Sequence, residues 1–228
     1  MKKIILSITF YFLISFTFIL GHVDHYKNYD YLEYELFRNN QPIGYHKYEF
    51  DRNNNNLTVN SIVEFKISKL GVNLYKYFAS SSEKYKNGKF LSFSSKTKQN
   101  KKNKYVNITV DNSQKQLIID GSSYKGPASI DTIIGTWWNH EIVKAKAQIS
   151  AISGRIIGQK VTFLGKKQIT IGGKEYNSLH FNFKSSDETL PDNKKLNTDI
   201  WYEEKTFLWL KASFDKRGYW EYRLKEVR

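Results

Sequence analysis

Five residues carry the chemistry of a ligand site: His46, Glu83, Trp138, Asn139 and Trp201 are polar or aromatic side chains that fall where the surrounding pattern breaks. Aromatic walls holding a few polar groups are the usual lining of apolar and sugar-stacking pockets. Asn139 and His140 place such polar groups beside Trp138. Read as an enzyme acting on envelope material, the chain offers His46 and Glu83 as an acid–base pair, provided both side chains reach one substrate atom. No catalytic motif supports that alternative. His140-Glu141 lacks the second histidine of the zinc-protease pattern, and Gly121 to Gly126 lacks the Gly-Lys-Ser/Thr ending of a phosphate cradle. No serine sits on a glycine-flanked elbow. His22 and His25 read as exposed polar residues near an end, not as a metal site. The absence of cysteine removes thiol chemistry and cysteine-based metal sites. No catalytic residue, metal or cofactor is assigned.

Charge is the second chemical feature. With 36 Lys and Arg against 22 Asp and Glu, the net charge is +14, which favours anionic partners. From Lys84 to Val110 there are eight lysines and no acid. Among them Lys96, Lys98, Lys101, Lys102 and Lys104 are the candidates for contact with an anionic membrane surface or glycan. Two plainer readings compete. Lysines on strand edges discourage edge-to-edge aggregation, and the abundance of Lys, Asn, Ile, Tyr and Phe suits an AT-rich coding bias. Nucleic acid is not expected as a partner, because the N-terminus reads as an export address.

That address is Lys2 and Lys3, a charge-free and largely apolar run of 17 residues from Ile4 to Leu20, then Gly21. Cleavage after Gly21 is expected, with retention of residues 4–20 as an inner-membrane anchor the alternative, since the run lies at the lower edge of spanning length. No cysteine follows Leu20, so lipoprotein-type acylation is excluded. Removing residues 1–21 takes away two lysines and no acid, leaving +12. Residues 22–228 are expected to form one domain, monomeric and periplasmic.

The elements that must position the candidates are strands. Period-2 alternation recurs almost end to end: Leu32, Tyr34 and Leu36 against Glu33 and Glu35; Leu57, Val59, Val63, Phe65 and Ile67 on one face; Val106, Ile108 and Val110; Leu179, Phe181 and Phe183; Trp220, Tyr222 and Leu224. Turn residues separate them, among them Asn39 to Pro42, Asn53 to Asn56, Leu70-Gly71, Asn87-Gly88, Gln99 to Asn103 and Gly172-Gly173. Between Pro127 and Ile152 the apolar spacing changes to three and four, predicting one or two short helices with Asp131 as an early-turn acid or cap. The fold expected is mainly β: a single antiparallel meander of about ten strands, curled into a partial or full barrel, with a short helical insertion near 130–150. An outer-membrane barrel is disfavoured by several short strands and by the closing Val227-Arg228.

In order along the chain, Ile43-Gly44-Tyr45-His46, Leu70-Gly71, Tyr75 and Tyr77, Glu83 to Gly88 with Phe90, Trp138-Asn139 after Pro127, Gly154, Trp201-Tyr202 and Glu221-Tyr222-Arg223-Leu224 resemble an uncharacterised family of exported bacterial proteins, a domain of unknown function found largely in Gram-negative species. The match covers nearly all of residues 31–226. Tyr85 departs from it where tryptophan is expected, and the Asn53–Asn56 and Lys101–Lys104 loops are unusually polar. The resemblance implies a periplasmic β-protein, similar in layout to half-barrel carriers that shelter the lipid chains of lipoproteins, and it brings no functional residues with it. The reading that follows is a non-enzymatic module enclosing a hydrophobic or amphiphilic ligand, with a structural or membrane-apposed basic protein as the further alternative.

Overall fold

A computed structural model describes residues 26–228. The leader read at residues 1–21, its cleavage point, and His22 and His25 lie outside the described residues. Fifteen strands follow one another. β1 (Tyr31–Arg38), β2 (Gln41–Asn53), β3 (Asn56–Lys69), β4 (Val72–Lys86), β5 (Lys89–Gln99), β6 (Lys102–Asp111), β7 (Gln116–Gly121) and β8 (Lys125–Ser129) form an up-and-down run. β9 (Ile133–Ile134) and β10 (Ala147–Ile149) flank a one-turn 3-10 helix at His140–Val143, before β11 (Ile156–Ile171), β12 (Lys174–Ser185), β13 (Asn197–Glu203), β14 (Trp209–Asp215) and β15 (Tyr219–Val227).

All fifteen belong to one sheet, in the order β8-β7-β6-β5-β4-β3-β2-β1-β15-β14-β13-β12-β11-β10-β9. The first and last strands pair in mid-wall, and the two free edges are β8 and β9. Those edges are consecutive in the chain, joined only by Ile130, Asp131 and Thr132. Four residue steps reach at most about 14 Å, so the sheet must curl until its edges almost meet at that corner. It remains an open barrel. Across the gap Ser123 N–H donates to Ser153 O (2.8 Å) and Ser95 Oγ to Ala151 O (2.6 Å), lacing the 150–155 loop to the wall. Gly121 permits this approach: a Cβ there would lie 2.7 Å from Ser153 O and 2.9 Å from Gly154 Cα.

The alternation sorts side chains as expected. Tyr34, Tyr48, Phe50, Val59, Phe65, Ile200, Tyr202 and Trp209 bury inward in the main core. Phe93, Val106, Ile108, Leu117, Ile119, Ile134 and Ile149 form a second core on the β5–β7 side. Three expectations are corrected. The sheet is not antiparallel throughout, because β9 and β10 pair in parallel, Gln148 with Ile133 and Ile149 with Ile134. Fifteen strands replace about ten, because short pairings such as β8, β9 and β10 carry too few residues to show alternation. The helical insertion reduces to the single turn His140–Val143, whose cap is Asn139, accepting Glu141 N–H at 3.1 Å, and not Asp131. The spacing of three and four around Ile130–Trp138 arises because this segment packs against wall on more than one side. Its next stretch is held by side chains, with Gln159 Nε2 donating to Ile142 O and Ala145 O at 2.9 Å each.

Gly121→Ala is expected to lower stability by about 2 kcal/mol, read in denaturant unfolding, with faster amide exchange concentrated in residues 150–155.

Candidate functional site

The curled wall is filled by a strap, residues 135–139. Irregular backbone inside a protein must find hydrogen-bond partners, and here tyrosines from the wall supply them. Tyr48 Oη donates to Thr136 O at 2.7 Å and Tyr202 Oη to Trp137 O at 2.8 Å. Close by, Tyr34 Oη donates to Trp209 O at 2.7 Å, and Trp209 N–H donates to Tyr26 Oη at 2.9 Å. The strap turns sharply at Trp137, whose φ is +56° and about which Trp138 N–H reaches back to Thr136 O at 2.7 Å. A bulky residue in the left-handed region costs about 1–3 kcal/mol. The turn seats Trp138, fully buried, edge-on to Tyr26, Phe50 and Tyr85 at 5.5, 5.5 and 5.9 Å.

Glu83 of β4 anchors that indole. Its Oε2 accepts from Trp138 Nε1 (2.9 Å) and Thr136 Oγ1 (3.3 Å), and its Oε1 from Tyr85 Oη (2.6 Å). Burial raises its pKa above the ordinary carboxylate value, and the hydrogen bonds from Tyr85, Trp138 and Thr136 oppose this without cancelling it. Asn139, buried, also bonds the Tyr85 phenol. Glu83, Trp138 and Asn139 are therefore brought together, and Glu83 and Asn139 line a cleft of about 580 Å³ beside the β8/β9 gap. Its apolar walls are Phe90, Val110, Leu117, Ile130, Ile133 and Ile134, with Lys89 and Lys144 also lining it. Such a site offers greasy contact plus a few charged and polar groups, the acids Glu83, Asp131 and Glu141 among them.

His46 lies elsewhere. Register places it opposite Val63 and hence Ala79, whereas Glu83 aligns with Val59 and Phe50. The two are offset by four residues, about 13 Å along the strands, and they line cavities that share no residue. The acid–base pair considered from sequence is not assembled. His46 instead lines a chamber of about 160 Å³ with Ser61, Ser81, Ser95, Thr97 and Thr136. Neither ring nitrogen meets a partner among the described residues, and burial pushes its pKa down to about 3.

Trp201 is also apart. Ile200 and Tyr202 are fully buried inward, so Trp201 projects from the other face of β13. There it stacks on His180 at 4.2 Å beneath Lys211 Nζ at 5.1 Å, while His180 Nε2 meets Asp199 Oδ1 at 2.9 Å. The inward tryptophan of this wall is Trp209, fully buried and the cross-strand partner of the inward Tyr202. Thr136, Tyr85 and Phe90 are the lining residues passed over as functional candidates, although Tyr85 and Phe90 stood within the quoted motif.

The five lysines divide. Lys96 and Lys98 are exposed on the outward side of β5; Lys104 and Lys102 align with Thr97 and Gln99 on the inward side, at the rim; Lys101 sits in the hairpin turn. Among the described residues no three His, Asp or Glu side chains converge to hold a metal ion, and no helix is long and apolar enough to cross a membrane.

Fold and cleft together define an open, barrel-like β-module with an aromatic strap and a partly apolar recess. The chain belongs to the family described as a domain of unknown function, DUF6134, whose model matches residues 34–225. No curated protein matches it. A similar solved structure is the crystal structure of a beta-barrel-like protein of domain of unknown function DUF1849 from Brucella abortus, with a TM-score of 0.58 at 11% identity over 87% of this chain and 96% of that one. At that identity the likeness concerns the fold alone.

The His46 chamber yields a pH prediction. Its pKa is depressed on folding from 6.5, so the unfolded chain binds the proton more readily and stability falls as pH drops below that value, by about 3 kcal/mol at about pH 4. Glu83, shifted upward, acts in the opposite sense. The difference between wild type and His46→Leu in denaturant titrations at stepped pH isolates the histidine, and the variant's profile is expected to be the flatter one.

Proposed function

We propose that this protein is an exported, periplasmic and monomeric binding module, not an enzyme, and that its cleft at the barrel gap takes a hydrophobic or amphiphilic envelope ligand. The observation that carries the reading is the cleft itself. Its volume of about 580 Å³ lies within the range typical of small-molecule sites, its walls are aliphatic and aromatic, and Glu83 sits at its lining with a raised pKa. Lys89, Asn139 and Lys144 at the lining offer polar contacts to a ligand's polar end, while Phe90, Leu117, Ile130 and Ile133 bury its apolar part. The separation of His46 from Glu83 and the absence of a shared lining favour binding over hydrolysis. The resemblance drawn from the sequence implies a layout similar to carriers of lipid chains, which is consistent with the same class of cargo, and the export address read at residues 1–21 is consistent with the compartment.

The test is native mass spectrometry of protein purified from the periplasm, together with titration by an environment-sensitive apolar dye. Copurified lipid-like mass and saturable dye uptake are expected. Ile130→Glu places a charge at an exposed point of the lining (43% exposed) and should weaken dye binding about tenfold with an unchanged unfolding midpoint. A ligand-free protein that takes up no dye overturns the reading.

A further inference from the structure

The β3–β4 hairpin presents an apolar tip that folding does not explain. Six hairpins here have two-residue loops: Asn39-Asn40, Asn54-Asn55, Leu70-Gly71, Asn87-Gly88, Asn100-Lys101 and Gly172-Gly173. In each the first loop residue adopts positive φ. Four use asparagine and one uses glycine, the residues that enter the left-handed region at least cost. The sixth uses Leu70, at φ 51°. It is 94% exposed, and Val72 and Leu74 beside it are 61% and 57% exposed. A leucine there works against turn geometry and against solvation at once, and among the described residues it stays 94% exposed.

The surroundings say what would cover it. Across residues 62–78 and 96–104 there are eight lysines and a single acid, Glu64, itself 3.7 Å from Lys66. A cleft of about 900 Å³ opens where the tip approaches the β5–β6 turn, lined by Lys66, Leu74, Phe78, Lys98, Lys101 and Lys102. The β5–β6 turn is tied to β4, Asn100 N–H donating to Lys76 O at 2.8 Å and Lys76 N–H to Asn100 Oδ1 at 2.7 Å, which holds its lysines beside the strand that carries the apolar tip. Aliphatic side chains projecting beyond a collar of lysines match a bilayer with anionic headgroups, the apolar tips entering the acyl boundary and the ammonium groups meeting phosphate.

We infer that the β3–β4 hairpin docks this protein on an anionic lipid bilayer, with Leu70, Val72 and Leu74 inserting and Lys66, Lys69, Lys76, Lys98, Lys101 and Lys102 contacting headgroups. The surface stands independently of the cleft at the β8/β9 gap and of any ligand held there.

Because the chain has no cysteine, a single fluorophore can be placed in the full-length protein at Asn73→Cys, with Lys205→Cys in the β13–β14 turn, which the register places at the opposite end of the barrel, as reference. On vesicles of phosphatidylcholine mixed with phosphatidylglycerol, the Asn73 reporter should shift to the blue and the Lys205 reporter should not. That readout is local, so attachment through residues 4–20 does not mimic it. Leu70→Asn restores favourable turn chemistry and should leave the unfolding midpoint equal or higher while weakening the vesicle-induced shift about tenfold in lipid concentration. Added salt or phosphatidylcholine alone should abolish it. An unshifted Asn73 reporter, a Leu70→Asn variant that responds as the parent does, an equal response on neutral vesicles, or a Leu70-dependent dimer in sedimentation without vesicle response would each overturn the inference.

Discussion

The interior of this barrel is held by one requirement: a stretch of backbone without regular structure has been buried, and each polar group along it must be met. Tyrosine is the residue that can do this from a β-wall, since its ring fills the core while its hydroxyl reaches the axis. Tyr48 and Tyr202 thus serve Thr136 and Trp137 from different sides of the wall, and Glu83 holds the indole that follows. The strap, the cavities on either part of it and the packing of Trp138 all rest on these few bonds. The strained turn at Trp137 persists because the surrounding contacts over-determine it.

That arrangement explains the composition. Open barrels with small inward residues leave room, and β4 and β5 carry Ala79, Ser81 and Ser95 inward where the His46 chamber lies. Where inward residues are larger, as at Phe93, Ile108 and Ile119, the space closes into a second core. The cleft beside the gap arises from a different cause: the wall stops there, and Ile130 to Ile134 pass from one edge to the other without filling the corner.

Much of the wall was legible in the sequence because period-2 burial and asparagine or glycine turns are local signals. The single sheet, its curl and the hairpins from Asn39 to Gly173 follow from them. The strap was not legible. Apolar residues at spacings of three and four also describe a non-helical segment touched from several directions, and only tertiary contacts tell the two apart. Of the candidate residues, Glu83, Trp138 and Asn139 converge, because a buried carboxylate and a tryptophan next to an asparagine cap mark a break in the pattern that the fold uses. Trp201 was chosen for its type, although its neighbours Ile200 and Tyr202 already placed it on the opposite face. His46 was chosen as a polar residue at a break in the pattern; the structure places it inward with Tyr48 and Phe50, and its distance from Glu83 depends on register across three strands, which no local signal carries.

The strand order has a mechanical meaning. Cutting the ring between β1 and β15 divides the wall into two fans, β1 to β8 and β9 to β15, and the chain itself joins them only at the far corner through Ile130 to Thr132. One ladder is therefore the hinge pin of the whole molecule, reinforced where Asp30 N–H and Tyr31 N–H both reach Arg228 O at 2.7 and 3.1 Å. Until β15 (Tyr219–Val227) arrives, the two fans are held to each other only at that corner, by the bonds that lace residues 150–155 to the wall and by the strap. Loss of that last segment would leave a butterfly of two sheets, not a shortened barrel.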